Sequence, residues 1–334
     1  MEELKAFDYN AAKAIIDAFN SKHAQTDHLP AGGLYVTADF ESLPLKVVPD
    51  EHATYSMYRL VVEEEDEEDE KEVTLYALGV LTQKLLPPFK PRRKYHPSRD
   101  ALFKGFRQSV HIHGAGASSL ERALQCAKFG FVLLERYAPK EATFPAESVS
   151  VENMVMSNPY FETGKDAKGR DKVLFSKLVD PFDELNRTQT EGCIHTADND
   201  VQFLETYEDD RGALRHTHVN PTRLRPGDVV RVGFSLVVRQ EKSFLTTTSN
   251  FELVLRSVTL VDDSLSSALS MKQLEEPADA GKKRSTVTRG TFDDEKEDRP
   301  IRKVRKAMSK LTITPSSMEV DKGEGSSAGD KGCA

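Results

Sequence analysis

The sequence predicts a mainly β body, a sandwich or barrel with one or two helices (α+β overall), followed by a disordered C-terminal tail. Three observations carry that prediction. Val229 to Arg239 and Phe251 to Val261 alternate β-branched and aromatic residues on either side of Gln240 to Asn250, the pattern of two consecutive antiparallel strands. Proline, glycine and asparagine cut much of the remaining chain into short segments, and helical periodicity appears in only a few of them. Beyond Ser264 large apolar residues nearly vanish, so that stretch cannot offset its ordering entropy by burial. The expected layout is an N-terminal helix within 1–29, a globular body over 30–264 and a disordered charged tail over 265–334.

The elements follow in order. Ala11, Ala14, Ile15, Ala18 and Phe19 recur at helical spacing, which predicts a helix over Tyr9 to Lys22 with Asp8 or Asn10 as its cap. Pro30, Gly32 and Gly33 then break the chain. Leu34 to Phe40, Thr54 to Val62 and Val73 to Leu81 read as strands. Between the last two lies EEEDEEDEKE, Glu63 to Glu72, whose like charges repel; it reads as the solvated acidic tip of a hairpin. Pro87 to Arg107 is a Pro-rich basic connector, confined by its prolines to extended or turn conformations. SSLE at Ser118 to Glu121 matches a helix-opening capping box, with Leu120, Leu124 and Ala127 as the buried stripe. Phe129 to Tyr137 either continues that helix or becomes a strand, and Gly130 and the β-rich run favour the strand. Residues 172–180 read as a strand or short helix, Asp198 to Tyr207 as a strand, and Pro221 to Asp228 as a rigid turn. SSALSMKQLEE then forms a short amphipathic piece leading into the tail.

Composition excludes several classes. The formal net charge is −8 and the pI about 5.7, which argues against whole-protein affinity for nucleic acid or anionic membranes and leaves only local basic patches. There is no Trp, so no Trp-lined carbohydrate or cap-binding site. Cys126, Cys193 and Cys333 make no disulfide framework and no CxxC pair, which suits a reducing, intracellular compartment, nuclear or cytoplasmic. The N-terminus lacks the basic and apolar regions of a signal peptide, and no apolar run approaches the roughly 18 residues that span a bilayer.

Five patterns bear on chemistry. In the connector, Lys90, Arg92, Arg93, Lys94, Arg99, Lys104 and Arg107 interleave with Phe89, Tyr95, Phe103 and Phe106; cations neutralise phosphates and aromatic rings stack on bases. The bland reading is a solvated linker whose rings plug into the body. In the tail, Lys282 to Arg284 and then Arg302, Lys303, Arg305 and Lys306 read as nuclear-import or nucleic-acid contacts. Two H-x-H pairs, His111 with His113 and His216 with His218, would each project two rings from one strand face; converging, they would suit Zn or Fe. Otherwise they are hydrogen-bonded or surface histidines. Cys193 beside His195, with Asp198 and Asp200 nearby, has the residue types of a nucleophilic pair but matches no protease signature. HGAGAS before a helix has the outline of a phosphate cradle, though a lone GxG is usually a tight turn.

One block carries a resemblance. IHTADNDVQFLE (Ile194 to Glu205), HVNPTRLRPGDVVRVGFSLVV (His218 to Val238) and FELVLRSVTLVDDS (Phe251 to Ser264) together resemble an uncharacterised protein family of mushroom-forming fungi with no assigned activity. The resemblance implies a recurring module and transfers no functional residue.

The leading expectation is a non-enzymatic binding protein without a cofactor, contacting nucleic acid or a protein partner through the connector and tail cations, with no membrane partner. Its first rival is a metal-dependent β-barrel enzyme, cupin- or oxygenase-like, using the four histidines. A third reading is a structural or self-assembling β protein.

Overall fold

Strand alternation and helical periodicity together yield, in a computed structural model, helices α1 (Tyr9–His23), α2 (Ser118–Glu135), α3 (Glu184–Thr188) and α4 (Ser264–Glu275). The strands are β1 (Leu45–Glu51), β2 (Tyr55–Val62), β3 (Lys71–Glu72), β4 (Thr74–Leu85), β5 (Arg107–His113), β6 (Asn153–Pro159), β7 (Glu162–Thr163), β8 (Cys193–Ile194), β9 (Gln202–Glu208), β10 (Leu214–His218), β11 (Val229–Lys242) and β12 (Thr247–Asp262). The structure describes residues 4, 7–23, 40, 43–51, 55–63, 71–88, 106–137, 144, 149–242 and 247–275.

β11 and β12 form the hairpin that their alternation predicts, paired from Val229↔Asp262 to Lys242↔Thr247 with register shifts after Val229 and Gly233. The other edge of β11 is divided between two partners. Val229 to Ser235 pair with β4, and Val237 to Glu241 pair with β2. β4 continues to β5 and β5 to β6, both antiparallel. β6 then meets β12 in parallel at Ser157↔Val254. The sequence of neighbours β4-β5-β6-β12-β11 thus returns to β4 and closes a barrel, whose β6–β12 seam is made by that single pair. β1 joins β2 as a flanking sheet, and β9 with β10 flanks the far half of β12.

Period-two burial fills the barrel. Leu75 and Ala77 of β4, Val110 and Ile112 of β5, Met154 and Met156 of β6, Val232, Phe234 and Leu236 of β11 and Leu255 of β12 belong to one core. Helix α2 adds Leu120, Ala123, Leu124, Ala127 and Leu134 to it. On the outside, Ala12 and Ile16 of α1 cover Leu78, Val80 and Val229. Asp8 caps α1 as expected, its Oδ1 accepting from the N–H groups of Asn10 (3.1 Å) and Ala11 (3.0 Å). A smaller core of Tyr160, Phe161, Phe175, Leu185 and Cys193 organises a lobe inserted between β6 and β9.

The mainly β, barrel-like expectation holds. Several local expectations do not. The strand expected over Phe129 to Tyr137 is the second half of α2, because Gly130 marks a close approach and not a break. A Cβ there would lie 2.3 Å from Leu236 Cδ1 and 3.0 Å from Leu60 Cδ1. The capping box at Ser118 is absent: Ala117 holds the cap position, and the reciprocal box forms instead between Thr196 and Asn199. The acidic hairpin is short, since β2 pairs only Val61↔Glu72 and Val62↔Lys71 before the chain turns to bury Leu75 against the barrel. Residues 172–180 are irregular and end in a turn. β1 lies outside the predicted strands; it contains Pro49, and at a sheet edge a proline costs no ladder bond. The amphipathic piece SSALSMKQLEE is helix α4, which ends at Glu275. The strand expected over Leu34 to Phe40, the acidic tip 64–70, most of the connector and the tail from 276 onward lie largely or wholly outside the described residues. Among the described residues no helix is long and apolar enough to cross a membrane.

Candidate nucleic-acid interface

Alternation along β5 sends Gln108, Val110 and Ile112 inward and leaves Arg107, Ser109, His111 and His113 half-buried on the outer wall. Their neighbours on β6 are Pro159, Ser157, Val155 and Asn153 in that order. Arg107 anchors one end of this wall. Its Nε donates to Ser157 Oγ (3.1 Å) and its Nη2 to Glu252 Oε2 (3.0 Å), with the side chain still 38% exposed. Of the cations expected to bind nucleic acid, Arg107 alone is described. Lys90, Arg92, Arg93, Lys94, Arg99 and Lys104, like Arg302, Lys303, Arg305 and Lys306, lie outside the described residues. The chain of the connector nonetheless has fixed roots: it leaves β4 through Leu86–Pro88 and re-enters β5 at Phe106. Phe106 packs on the lobe core, and its carbonyl accepts from the Tyr160 N–H at 3.0 Å.

The four candidate metal ligands are distributed between β5 and β10, with β6, β12 and β9 between them in the sheet order. His113 Nδ1 accepts the Ala115 N–H (3.0 Å), and its ring lies 4.6 Å from that of Tyr9. Burial lowers the His111 pKa. His216 contacts Arg231 and Thr206, while His218 is exposed. Among the described residues, no three His, Cys, Asp or Glu side chains are grouped to hold a metal. The HGAG segment is a tight turn with Ala115 at φ 53° and Gly116 at φ 75°. Cys193 and His195 are both buried. The His195 ring stacks on Phe175 at 3.8 Å and its Nδ1 lies 2.9 Å from the Tyr160 carbonyl, so it is built into the lobe core.

Sequence reading missed a network of arginines on the wall beside the lobe. Arg59 donates to both oxygens of Asp198 (2.8 and 2.9 Å) and to Asp50 (3.0 Å). Arg170 bridges the same two carboxylates. Arg256 donates to Glu72 (2.7 Å) and to the Asp198 carbonyl (2.6 Å). Burial alone would raise the Asp198 pKa; the hydrogen bonds and charge of Arg59, with Arg256 and Arg170, overcome it and hold the carboxyl well below its usual range. Arg170 also borders a groove of about 550 Å³ in the lobe, with Lys168, Lys172, Gln189 and Glu191 among its lining. Lys168 and Lys172 form no ion pair among the described residues. The run GKDAKGRDK, Gly164 to Lys172, was the available signal for this basic rim.

No protein-family model matches the chain, and no curated protein does. Among solved structures, the chain shows similarity to the crystal structure of gp2.5, a single-stranded DNA binding protein encoded by bacteriophage T7. The identity is 15%, the TM-score 0.27, and the match covers 57% of this chain and 86% of that one.

Proposed function

We propose that the protein is a non-enzymatic binding protein that takes single-stranded nucleic acid on the β5–β6 wall and the basic connector. One observation carries the reading. In chain order the ring strands are β4, β5, β6, β11 and β12, and around the barrel they lie first-second-third-fifth-fourth, with the third and fifth parallel. Small Greek-key barrels of this kind bind oligonucleotides on their second and third strands and on the loop joining the first two. Here that wall is β5–β6, and that loop is the basic, aromatic connector. The barrel supplies the analogy and the residues supply the chemistry. Lysine and arginine neutralise phosphates, and aromatic rings stack on unpaired bases, which a duplex keeps stacked internally.

The test is fluorescence anisotropy of the full chain with a labelled oligothymidylate across a salt series. Binding is expected to weaken steeply as salt rises. Replacing Lys90, Arg92, Arg93 and Lys94 together by Ala is expected to reduce the slope of log K against log salt by about 3. Absent or salt-insensitive binding would overturn the reading.

A further inference from the structure

Arg231 projects from the outer face of β11 and is only 6% exposed. Its guanidinium carbon lies 5.4 Å from the centre of the Tyr76 ring on β4. Its Nη2 is 3.1 Å from His216 Nε2 on β10, and its buried Nε has no hydrogen-bond partner among the described residues. Among the described residues no carboxylate pairs with it, whereas Arg59, Arg107, Arg170, Arg239 and Arg256 all face one. Because Nε2 of His216 accepts from the guanidinium, the imidazole proton sits on Nδ1 and donates to Thr206 Oγ1 at 3.3 Å. The imidazole is therefore neutral and supplies no counter-charge. Burying a cation without one is costly unless an anion completes the site.

The surroundings are shaped for this geometry. Gly233, two residues along the same face of β11, lets the Tyr76 ring lie across the strand; a Cβ there would stand 2.9 Å from Tyr76 Cε1 and 2.4 Å from Ser257 Oγ. Tyr76, Thr206 and His216 are half-buried, which puts the guanidinium one side-chain layer below the surface. A guanidinium offers paired N–H donors that match the spacing of oxygens on a phosphate.

We propose that Arg231, walled by Tyr76 and His216, is the receptor of an oxyanion site that takes a phosphate group. The site is independent of the nucleic-acid reading: its ligand is either a free phosphate or a phosphodiester, and the two sources are separable.

The experiment follows thermal melting of the full chain, and phosphorus NMR line width, in increasing inorganic phosphate, with chloride adjusted to constant ionic strength. The wild type is expected to gain several degrees in Tm, saturably, and to broaden the phosphate resonance. Arg231→Met should lose both responses. If Arg231→Met does not fold, Arg231→Lys, which keeps the charge without the fork, should show a response at least fivefold weaker in phosphate concentration. No phosphate response in the wild type, or an unchanged one in Arg231→Met or Arg231→Lys, overturns the proposal. Competition by a short oligothymidylate identifies the phosphodiester source. Without competition the ligand is a free phosphate, whatever becomes of binding at the β5–β6 wall.

Discussion

Arg59 and Arg231 stand on adjoining strands of the same outer wall, both well shielded from water, and they are held in opposite ways. Arg59 is gripped by Asp198, Asp50 and Glu72. Arg231 has an aromatic face and a neutral imidazole. The first arrangement is electrostatically closed and ties β1, β2, β3 and the lobe into one body. The second is open. Burial of an arginine is thus no guide to its role; the charges of its partners are.

The sharpest way to break the contrast is to open the closed site. Asp198→Asn keeps the shape but removes the charge that Arg59 and Arg170 share, and is expected to cost about 2–4 kcal/mol of unfolding free energy in urea. A loss under about 0.5 kcal/mol would make the network an ordinary surface feature.

The two regions should also part company with pH. Burial, and then the Arg231 charge, push the His216 pKa from 6.5 down to about 4. Between those values the unfolded chain binds the proton more readily, so stability falls as pH drops through that window. Asp198 has a depressed folded pKa, so its contribution is present above 3.8 and is lost only as pH falls further, through its folded value. Stability measured from pH 8 to pH 2 should show two descending arms. His216→Gln is expected to reduce the upper arm, to which His111 and His195, also lowered by burial, contribute, and Asp198→Asn the lower; a swap of these assignments would refute the contrast.

The smallest effect belongs to the ring beneath Arg231. Tyr76→Phe keeps the π face and is expected to change unfolding free energy by less than about 0.5 kcal/mol, whereas Tyr76→Leu should cost about 1 kcal/mol in the same melts.

What was legible in the sequence was what is local. The β11–β12 hairpin showed in its alternation, and α1 showed in its alanine stripe and Asp8 cap. What was not legible depends on distance. Arg59 finds Asp198 139 residues away, and Arg256 finds Glu72 184 residues away, so neither partner could be inferred from spacing. Gly130 misled because its reason lies on another strand, at Leu236. The lobe lacks any periodicity, being held by five mostly aromatic side chains and irregular backbone. Of the site, only the basic composition of the connector was visible; that it joins the first two strands of a closed ring emerges from the topology alone.

The divided edge of β11 has a mechanical meaning. One continuous strand serves as a stave of the barrel along its first half and as the spine of the flanking sheet along its second. Neither part can open without fraying the other's ladder, so the two behave as one cooperative unit and not as separately melting pieces. The amides along β11 are accordingly the ones that exchange with solvent only when the whole unit unfolds, and an insertion between Ser235 and Val237 would uncouple what no surface change could.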